Sequence, residues 1–99
     1  MHNSFTFLGN RLYLKKARYQ NNNTALVAAD EDGVPFITVS VNVSPLPPDR
    51  AAIKNYSENE GVFEALIAAG LVTDTGETIR SGFVTCPVAR FNPDDFPES

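Results

Sequence analysis

The chain has 99 residues, about the length of one domain, and is 42 % hydrophobic and 20 % charged. These proportions are typical of a folded globular protein and exclude intrinsic disorder. No apolar run approaches the ~18 residues that cross a bilayer, and MHNSFTFLGN lacks the basic start and long apolar stretch of a signal peptide. We therefore expect no membrane partner. The single cysteine, Cys86, excludes an intrachain disulfide and favours an intracellular setting.

The net charge of −4 is distributed unevenly along the chain. Residues 11–20 contain four basic and no acidic residues, which leaves four basic and twelve acidic residues, a net −8, elsewhere. The acidic residues cluster at 30–32 and at Asp94, Asp95 and Glu98. This asymmetry indicates a basic patch on an acidic body. The alternative is that the patch offsets its acidic neighbours across a hairpin.

The first half of the chain predicts a meander of four strands. Apolar and polar residues alternate with the period of two that is typical of a strand with one buried face. The clearest example is PFITVSVNV, in which Ile37 and Val39 share one face while Thr38 and Ser40 share the other. The predicted strands are 4–8, 11–19, 24–30 and 35–43, with turns at Gly9-Asn10, at the asparagines 21–23 and at the Asp-Gly pair within 31–33.

The second half predicts one helix between short strands. Three prolines in SPLPPDR end the meander in a loop, because proline donates no ladder hydrogen bond. AAIKN predicts a brief strand, residues 73–81 a polar turn region and FVTCPVARF a final strand, with Pro87 at an edge or a bulge. Residues 92–99 form an acidic tail that we expect to fray unless Phe96 docks on the body.

The stretch NYSENEG predicts the start of the helix. Ser57 and Glu60 have the spacing of a capping box, and Glu58 lies in the first turn, where the helix dipole favours an anion. We predict a helix over about 58–69, ended by Gly70 as a left-handed cap. On this interpretation Ser57→Ala costs about 1 kcal/mol of stability.

Together these elements predict a single α+β domain over residues 1–99. Its fold is a twisted antiparallel sheet of about five strands with the helix packed on one face. The helix stripe of Phe63, Leu66 and Ile67 is the surface large enough to cover the apolar face of the sheet.

The sequence offers no support for catalysis or for a cofactor. Glu58 and Glu60 point about 200° apart on a helix, whereas a catalytic carboxylate pair must converge. Cys86 lies in an apolar strand, and the sole base that could activate it, His2, is near the terminus. One cysteine and one histidine cannot form a zinc site, and no glycine pattern matches a phosphate loop. We therefore predict that the protein is not an enzyme and has no metal or cofactor.

The remaining candidates are binding residues. Arg11, Tyr13 and Lys15 share one face of the second strand, and cations beside an aromatic ring can contact phosphates and stack a base. Lys16 and Arg18 lie on the other face. The acidic clusters could instead imitate nucleic acid. A third interpretation is a protein-binding module with possible aromatic anchors at Tyr19, Tyr56, Phe91 and Phe96. Within NYSENEG, Tyr56 is the candidate binding residue.

Residues 53–91 carry a more specific pattern. It comprises a Tyr-Ser-Glu-Asn-Glu-Gly helix start at 56–61, a Thr75-Gly76 turn, a Ser-Gly-Phe-Val strand at 81–84 and a basic–aromatic pair, Arg90-Phe91. This pattern resembles an uncharacterised family of small proteins from phages, plasmids and mobile elements of Gram-positive gut bacteria. The resemblance implies a small accessory protein of a mobile element in the cytoplasm of a bacterial host, and it carries over no catalytic residues.

By analogy of context, we expect a non-enzymatic protein that acts by stoichiometric protein binding. The expected partner is a host protein or protein–nucleic-acid complex, as for an inhibitor of a defence system of the anti-CRISPR or anti-restriction type. The alternative is a nucleic-acid-binding module that uses the basic strand 11–18. The sequence leaves open whether the protein is a monomer or a homodimer.

Overall fold

The computed structural model describes residues 2–99, and Met1 lies outside the described residues. Over that range the chain is an α+β protein with two antiparallel sheets of four strands each and one α-helix. The predicted class is confirmed. The prediction of one sheet with about five strands is wrong, because one predicted strand divides between two sheets and a segment expected to be a turn forms a strand.

The first sheet is a meander of β1 (Ser4–Phe7), β2 (Asn10–Arg18), β3 (Thr24–Ala29) and β4 (Pro35–Thr38), in that order. The second sheet has the order β5-β6-β8-β7 and consists of β5 (Ser40–Val41), β6 (Arg50–Ile53), β7 (Thr73–Ser81) and β8 (Val84–Arg90). Helix α1 (Val62–Ala68) lies between β6 and β7 in the chain, and 3-10 turns form at Ser57–Asn59 and Pro93–Asp95.

The chain passes from the first sheet to the second at Val39. The N–H of Val39 donates to the carbonyl of Leu26 in β3, and the carbonyl of Val39 accepts from the N–H of Lys54, directly after β6. The next residue, Ser40, also bonds Leu26, because its hydroxyl accepts from the Leu26 N–H at 2.9 Å. The alternating run 35–43 is therefore two strands of different sheets and not one.

The core lies between the two sheets and α1. One face of the first sheet, here called the inner face, carries Leu12 and Leu14. It packs with the face of the second sheet that carries Ala51 and Ile53 and with the helix residue Leu66. All five side chains are at most 3 % exposed. The predicted helix stripe is confirmed for Phe63 and Leu66 but is wrong for Ile67, which is 38 % exposed.

Strand β7 replaces the predicted turn region. Most of its residues are exposed and polar, so the hydrophobic pattern gives no strand signal there. The expected turn residues Thr75 and Gly76 occupy an irregularity in the pairing of β7 with β8, between Asp74 and Thr78. Pro87 pairs with Thr78 beside that irregularity, and the pairing of β8 with β6 covers only residues 88–90. The missing N–H of Pro87 therefore interrupts no ladder on the β6 side.

The start of the helix differs from the predicted capping box. Ser57 has a φ of +54° and opens a 3-10 turn, and α1 begins only at Val62, with Gly61 before it. Neither helical start is capped by the residue directly before it. Instead, the Asn55 side-chain oxygen accepts from the N–H groups of Gly61 and Phe63 at 3.1 and 3.0 Å. Asn55 thus has the capping role that was predicted for Ser57, but for other N–H groups, because the N–H of Glu60 donates to the backbone carbonyl of Ser57.

The end of the helix is as predicted. Gly70 has a φ of +74°, and its N–H donates to the carbonyl of Ile67. The N–H of Leu71 donates to the carbonyl of Leu66, which completes the two bonds of a Schellman motif. Leu71 folds back into the core with 6 % of its surface exposed.

The capping role of Asn55 is testable by substitution. We expect Asn55→Ala to lower the free energy of unfolding by about 1–2 kcal/mol, since two helix N–H groups lose their acceptor. Ser57→Ala is the matched control and should cost less than about 0.5 kcal/mol, because the Ser57 side chain is exposed. Equilibrium unfolding in urea measures both values. A larger loss for Ser57→Ala than for Asn55→Ala would restore the capping box.

Candidate functional site

The structure brings together three of the predicted binding residues, Arg11, Tyr13 and Lys15. They alternate with the buried Leu12 and Leu14 along β2 and so lie on the opposite, outer face of the first sheet. The residues of the core cluster lie on the inner face, and on the outer face Ser99 of the C-terminal tail borders the sheet. The outer face is the candidate functional site.

A groove of about 360 Å³ crosses the outer face. Cross-strand pairing places Lys15 opposite Val27 of β3 and Val27 opposite Thr38 of β4. The side chains in the groove are small or apolar, apart from Lys15, so the sheet surface is open to a contacting group. Its lining includes Lys15, Val27, Ala29, Phe36 and Thr38 of the sheet, and Ser99 of the C-terminal tail.

Phe36 is the residue that the sequence analysis missed. It is 46 % exposed and lines the groove, and its neighbour Val34 is 55 % exposed. The sequence contained a signal for this residue. Phe36 and Thr38 are two positions apart in an alternating strand, so both lie on the face opposite Ile37. Phe36 is therefore an aromatic residue on the otherwise polar face of the strand. Large apolar side chains exposed next to a groove are characteristic of interaction surfaces.

The acidic turn between β3 and β4 lies close to Arg11. Arg11 lines a second groove, of about 340 Å³, together with Asp30, Glu31 and Asp32. Among residues 2–99, no carboxylate comes within ion-pair distance of Arg11. The turn nevertheless lowers the positive potential at this end of β2, as the hairpin alternative anticipated. The turn itself is built as predicted, with Gly33 at a φ of +82° and the Asp30 side chain accepting from the N–H of Val34.

Lys16 forms hydrogen bonds with the C-terminal tail, residues 92–99. Its N–H donates to the carbonyl of Pro97 at 2.9 Å, its carbonyl accepts from the N–H of Ser99 at 2.8 Å, and its Nζ donates to the carbonyl of Pro93 at 2.7 Å. The tail docks at this position, and Phe96 is only 2 % exposed. Phe96 therefore docks on the body of the protein, which was the condition under which we did not expect the tail to fray.

The other predicted contacts lie apart from the outer face. Arg18, at the end of β2, donates to the carbonyl of Asn22 at 3.5 Å. Tyr56 lies in the loop after β6, with the Lys54 ammonium 5.8 Å from the centre of its ring. The structure therefore does not join Tyr56 to the basic strand.

Three of the aromatic candidates have structural roles. The hydroxyl of Tyr19 bonds the hydroxyl of Ser40 at 2.9 Å, beside the switch between the sheets. Phe91 and Phe96 are buried and pack with their ring centroids 5.8 Å apart. These side chains are not available as exposed anchors for a partner.

The candidate catalytic groups are also separated. Cys86 is fully buried, and burial raises the pKa of its thiol, which disfavours the nucleophilic thiolate. His2 contacts the carbonyl of Ala69 through Nε2 at 2.7 Å, at the end of α1, whereas Cys86 pairs with Ile79 in the second sheet. Glu58 accepts a hydrogen bond from Lys54, and this bond is the main reason that the pKa of Glu58 is lowered.

Residues 2–99 show neither a metal-binding cluster nor a membrane-spanning helix. They contain no group of three or more histidine, cysteine, aspartate or glutamate side chains placed to hold a metal ion. Within the same residues, no helix combines the length and apolar character needed to cross a bilayer.

Comparisons of the chain with protein-family models, with curated proteins and with solved structures found no match. The resemblance to a mobile-element family therefore stays a prediction.

The burial of Cys86 has a measurable consequence. At pH 8 we expect the native thiol to react with iodoacetamide about a hundredfold or more slowly than the unfolded chain, because labelling requires opening of the sheet and the raised pKa leaves little thiolate. A Cys86→Ala chain that carries Phe83→Cys at the fully exposed hairpin tip provides a rapidly labelled control. Native Cys86 that reacts as fast as this control would return the thiol to the list of candidate nucleophiles.

Proposed function

We propose that this protein is a non-enzymatic accessory protein of a phage or mobile element that binds a host protein stoichiometrically. In this proposal it inhibits a bacterial defence complex of the CRISPR or restriction type from the cytoplasm of the host. The setting is supported by the sequence resemblance, and the mode of action is supported by the outer face. The observation that carries the binding role is the groove beside the exposed Phe36.

The chemistry of the groove favours a protein partner. Val27, Ala29 and Phe36 give the groove an apolar lining, and one cation, Lys15, also lines it. Aromatic side chains that enter a partner's pocket contribute much of the binding energy in protein interfaces. A β-sheet face with small side chains also lets the partner approach the backbone closely. The groove thus offers an apolar centre with one charged contact for orientation.

The distribution of surface charge also favours a protein partner over a nucleic acid. Arg11 faces the acidic turn, and Lys16 is occupied by the tail, so Lys15 is the cation that borders the groove. A nucleic-acid surface generally needs several free cations, because each contact to a phosphate adds to the affinity. The cations available on this face are few for that role.

The main proposal is tested by phage plating on hosts that each carry one CRISPR or restriction system. Expression of the wild-type chain should raise the plating efficiency on at least one immune host. Phe36→Ser should lower the affinity for the purified defence complex by about thirtyfold, the loss expected when an aromatic anchor of an interface is truncated. Calorimetric titration of the same complex measures this affinity and the stoichiometry.

The matched control is Phe83→Ser. It removes the same side chain from a fully exposed position in the hairpin between β7 and β8, in the other sheet. We expect this variant to inhibit as the wild type does. Unchanged plating on every host, or equal losses for both variants, would refute the proposal.

A second candidate function is nucleic-acid binding by the outer face. It is favoured by the placement of Tyr13 between Arg11 and Lys15 on one sheet surface, where a base can stack between phosphate contacts.

The second candidate predicts a salt-sensitive electrophoretic shift of single-stranded oligonucleotides. The double charge reversal Arg11→Glu and Lys15→Glu should abolish that shift, because it removes both outer-face cations. Arg80→Glu, on an exposed residue of β7, is the control for a charge reversal away from the outer face and makes half of that change in net charge. If the wild type gives no shift at low salt, this function is excluded.

A further inference from the structure

β7 is the longest edge strand in residues 2–99. Of the edge strands β1, β4, β5 and β7, β7 has nine residues, whereas the others have four or two. β4 begins with Pro35, and the carbonyl of Thr38 at its end accepts from the side chain of Asn59 at 2.8 Å. Short strands, prolines and covering groups keep an edge from pairing with other chains. β7 contains no proline, and residues 78–81 pair regularly with β8, so this part of the edge is open to a further strand.

The hydrogen bonds of β8 show which neighbouring strand each of its residues faces. The N–H of Phe91 donates to the carbonyl of Asp49, next to the start of β6, at 3.0 Å. The carbonyl of Val88 accepts from the Thr75 hydroxyl of β7 at 2.8 Å. The backbone groups of successive residues in a strand point to opposite sides. Odd-numbered residues of β8 therefore bond β6, and even-numbered residues bond β7.

Thr78 and Arg80 carry the free backbone groups of the β7 edge. The register pairs Ile79 with the even-numbered Cys86, so the N–H and carbonyl of Ile79 bond β8. The backbone groups of its neighbours, Thr78 and Arg80, then point away from β8 and toward solvent. Both residues are exposed, and no turn, loop or cap hydrogen bond between backbone groups of residues 2–99 uses them. Each of the two residues thus offers a donor and an acceptor at the edge.

A two-fold axis restricts how two copies of this edge can pair. Hydrogen-bonded and non-hydrogen-bonded pairs alternate in an antiparallel ladder, so a symmetric pair must place one residue opposite its own counterpart. If that residue is Ile79, Thr78 lies opposite Arg80 of the second copy, and Arg80 lies opposite Thr78 of the second copy. These are the residues with free groups, so every free N–H and carbonyl of Thr78 and Arg80 gains a partner.

The other positions of the axis are less favourable. An axis at Glu77 or at Arg80 opposes two like charges, which destabilises a strand pair. An axis at Thr78 pairs Arg80 with Gly76, whose N–H already donates to the side chain of Asp74 at 2.8 Å. An axis closer to the hairpin tip leaves Thr78 beyond the end of β7 in the second copy. The charges and the hydrogen bonds therefore favour the same centre.

The side chain at this centre is apolar. Ile79 is half-buried and lines a groove of about 240 Å³ with Leu46, Pro47 and Val88. Its pair with its own counterpart is of the non-hydrogen-bonded kind, in which side chains are closest. The two isoleucines would therefore bury apolar surface against each other, which stabilises the association.

We propose that the protein forms a symmetric homodimer in which the β7 edges of two copies pair antiparallel, centred on Ile79. The second sheet of each copy then continues into that of the other. A second copy fits this edge because one axis matches its donors, its acceptors and its apolar centre without opposing like charges. The interface lies on the second sheet, so the proposal does not depend on the function proposed for the outer face of the first sheet.

Disulfide cross-linking tests the register. The Cα atoms of a non-hydrogen-bonded pair lie about 4.5 Å apart, which is within the range that a disulfide spans. Ile79→Cys, in a chain that also carries Cys86→Ala, should therefore form a covalent dimer when it is oxidised with diamide. Ser81→Cys in the same background is the matched control. Its position lies opposite Glu77 of the second copy, about 13 Å along the strand from its own counterpart, so this variant should stay monomeric.

Sedimentation velocity measures the association itself. The wild type should show a reversible equilibrium between monomer and dimer. Thr78→Pro should weaken this association about tenfold or more, because proline removes the outward N–H in both copies. The monomer should stay folded, since an edge strand tolerates proline where the N–H faces solvent. Circular dichroism checks the fold of the variant.

Thr6→Pro is the matched control for this change. Thr6 is an exposed residue of the edge strand β1. The N–H of Leu14 donates to the carbonyl of Asn3, so odd-numbered residues at this edge bond β2 and the N–H of Thr6 points away from it. The control variant thus loses an outward N–H from the other sheet and should associate as the wild type does.

Either of two results would overturn the dimer: a wild-type chain that stays monomeric up to about 1 mM, or association that Thr78→Pro does not weaken. Equal cross-linking of Ile79→Cys and Ser81→Cys would overturn the register. If Thr78→Pro does not fold, the comparison of the two cysteine variants decides.

Discussion

The fold depends on the hydrogen bonds that Val39 and Ser40 make where the chain changes sheets. Val39 donates to one sheet and accepts from the other, so a single residue closes the ladders of both. The Ser40 hydroxyl then takes the Leu26 N–H, which would otherwise lose its acceptor when the backbone turns away. Tyr19 fixes that hydroxyl in turn. Because buried backbone groups must be paired, this arrangement allows a sharp change of direction in the interior.

The change of sheet determines which surfaces remain exposed. The second sheet and α1 cover the inner face of the first sheet, and together they bury its apolar side chains. The tail adds to β2 at Lys16, beyond the residues that pair with β1. What remains uncovered is the outer face, where alanines lie beside Tyr13 and Lys15. The candidate binding surface is thus a consequence of how the core is closed.

The sequence predicted the features that depend on local chemistry. The meander, the Asp-Gly turn and the Gly70 cap follow from alternation and from residues that accept positive φ, and all three are confirmed. The division of 35–43 could not be read from the sequence, because Val39 continues the same alternation on either side of the switch. β7 was missed because pairing with β8, and not a hydrophobic face, makes it a strand.

The contrast between local pattern and long-range contact also explains which binding residues were predicted correctly. Period-two alternation correctly placed Arg11, Tyr13 and Lys15 on one face, since that depends only on β2 being a strand. Alternation could not show that Lys16 meets the tail, or that Asn55 and not Ser57 bonds the helix start. Those contacts join segments that are distant in sequence or displaced by an intervening 3-10 turn.

Ion pairs contribute little to the stability of this fold. The chain has eight basic and twelve acidic residues, yet residues 2–99 form a single ion pair, between Lys54 and Glu58 on the surface. An exposed pair of this kind adds little to stability, so packing and backbone hydrogen bonds hold the fold. Most charged side chains are therefore free to interact with molecules outside the chain. Lys15, which lines the groove of the outer face, is one such side chain.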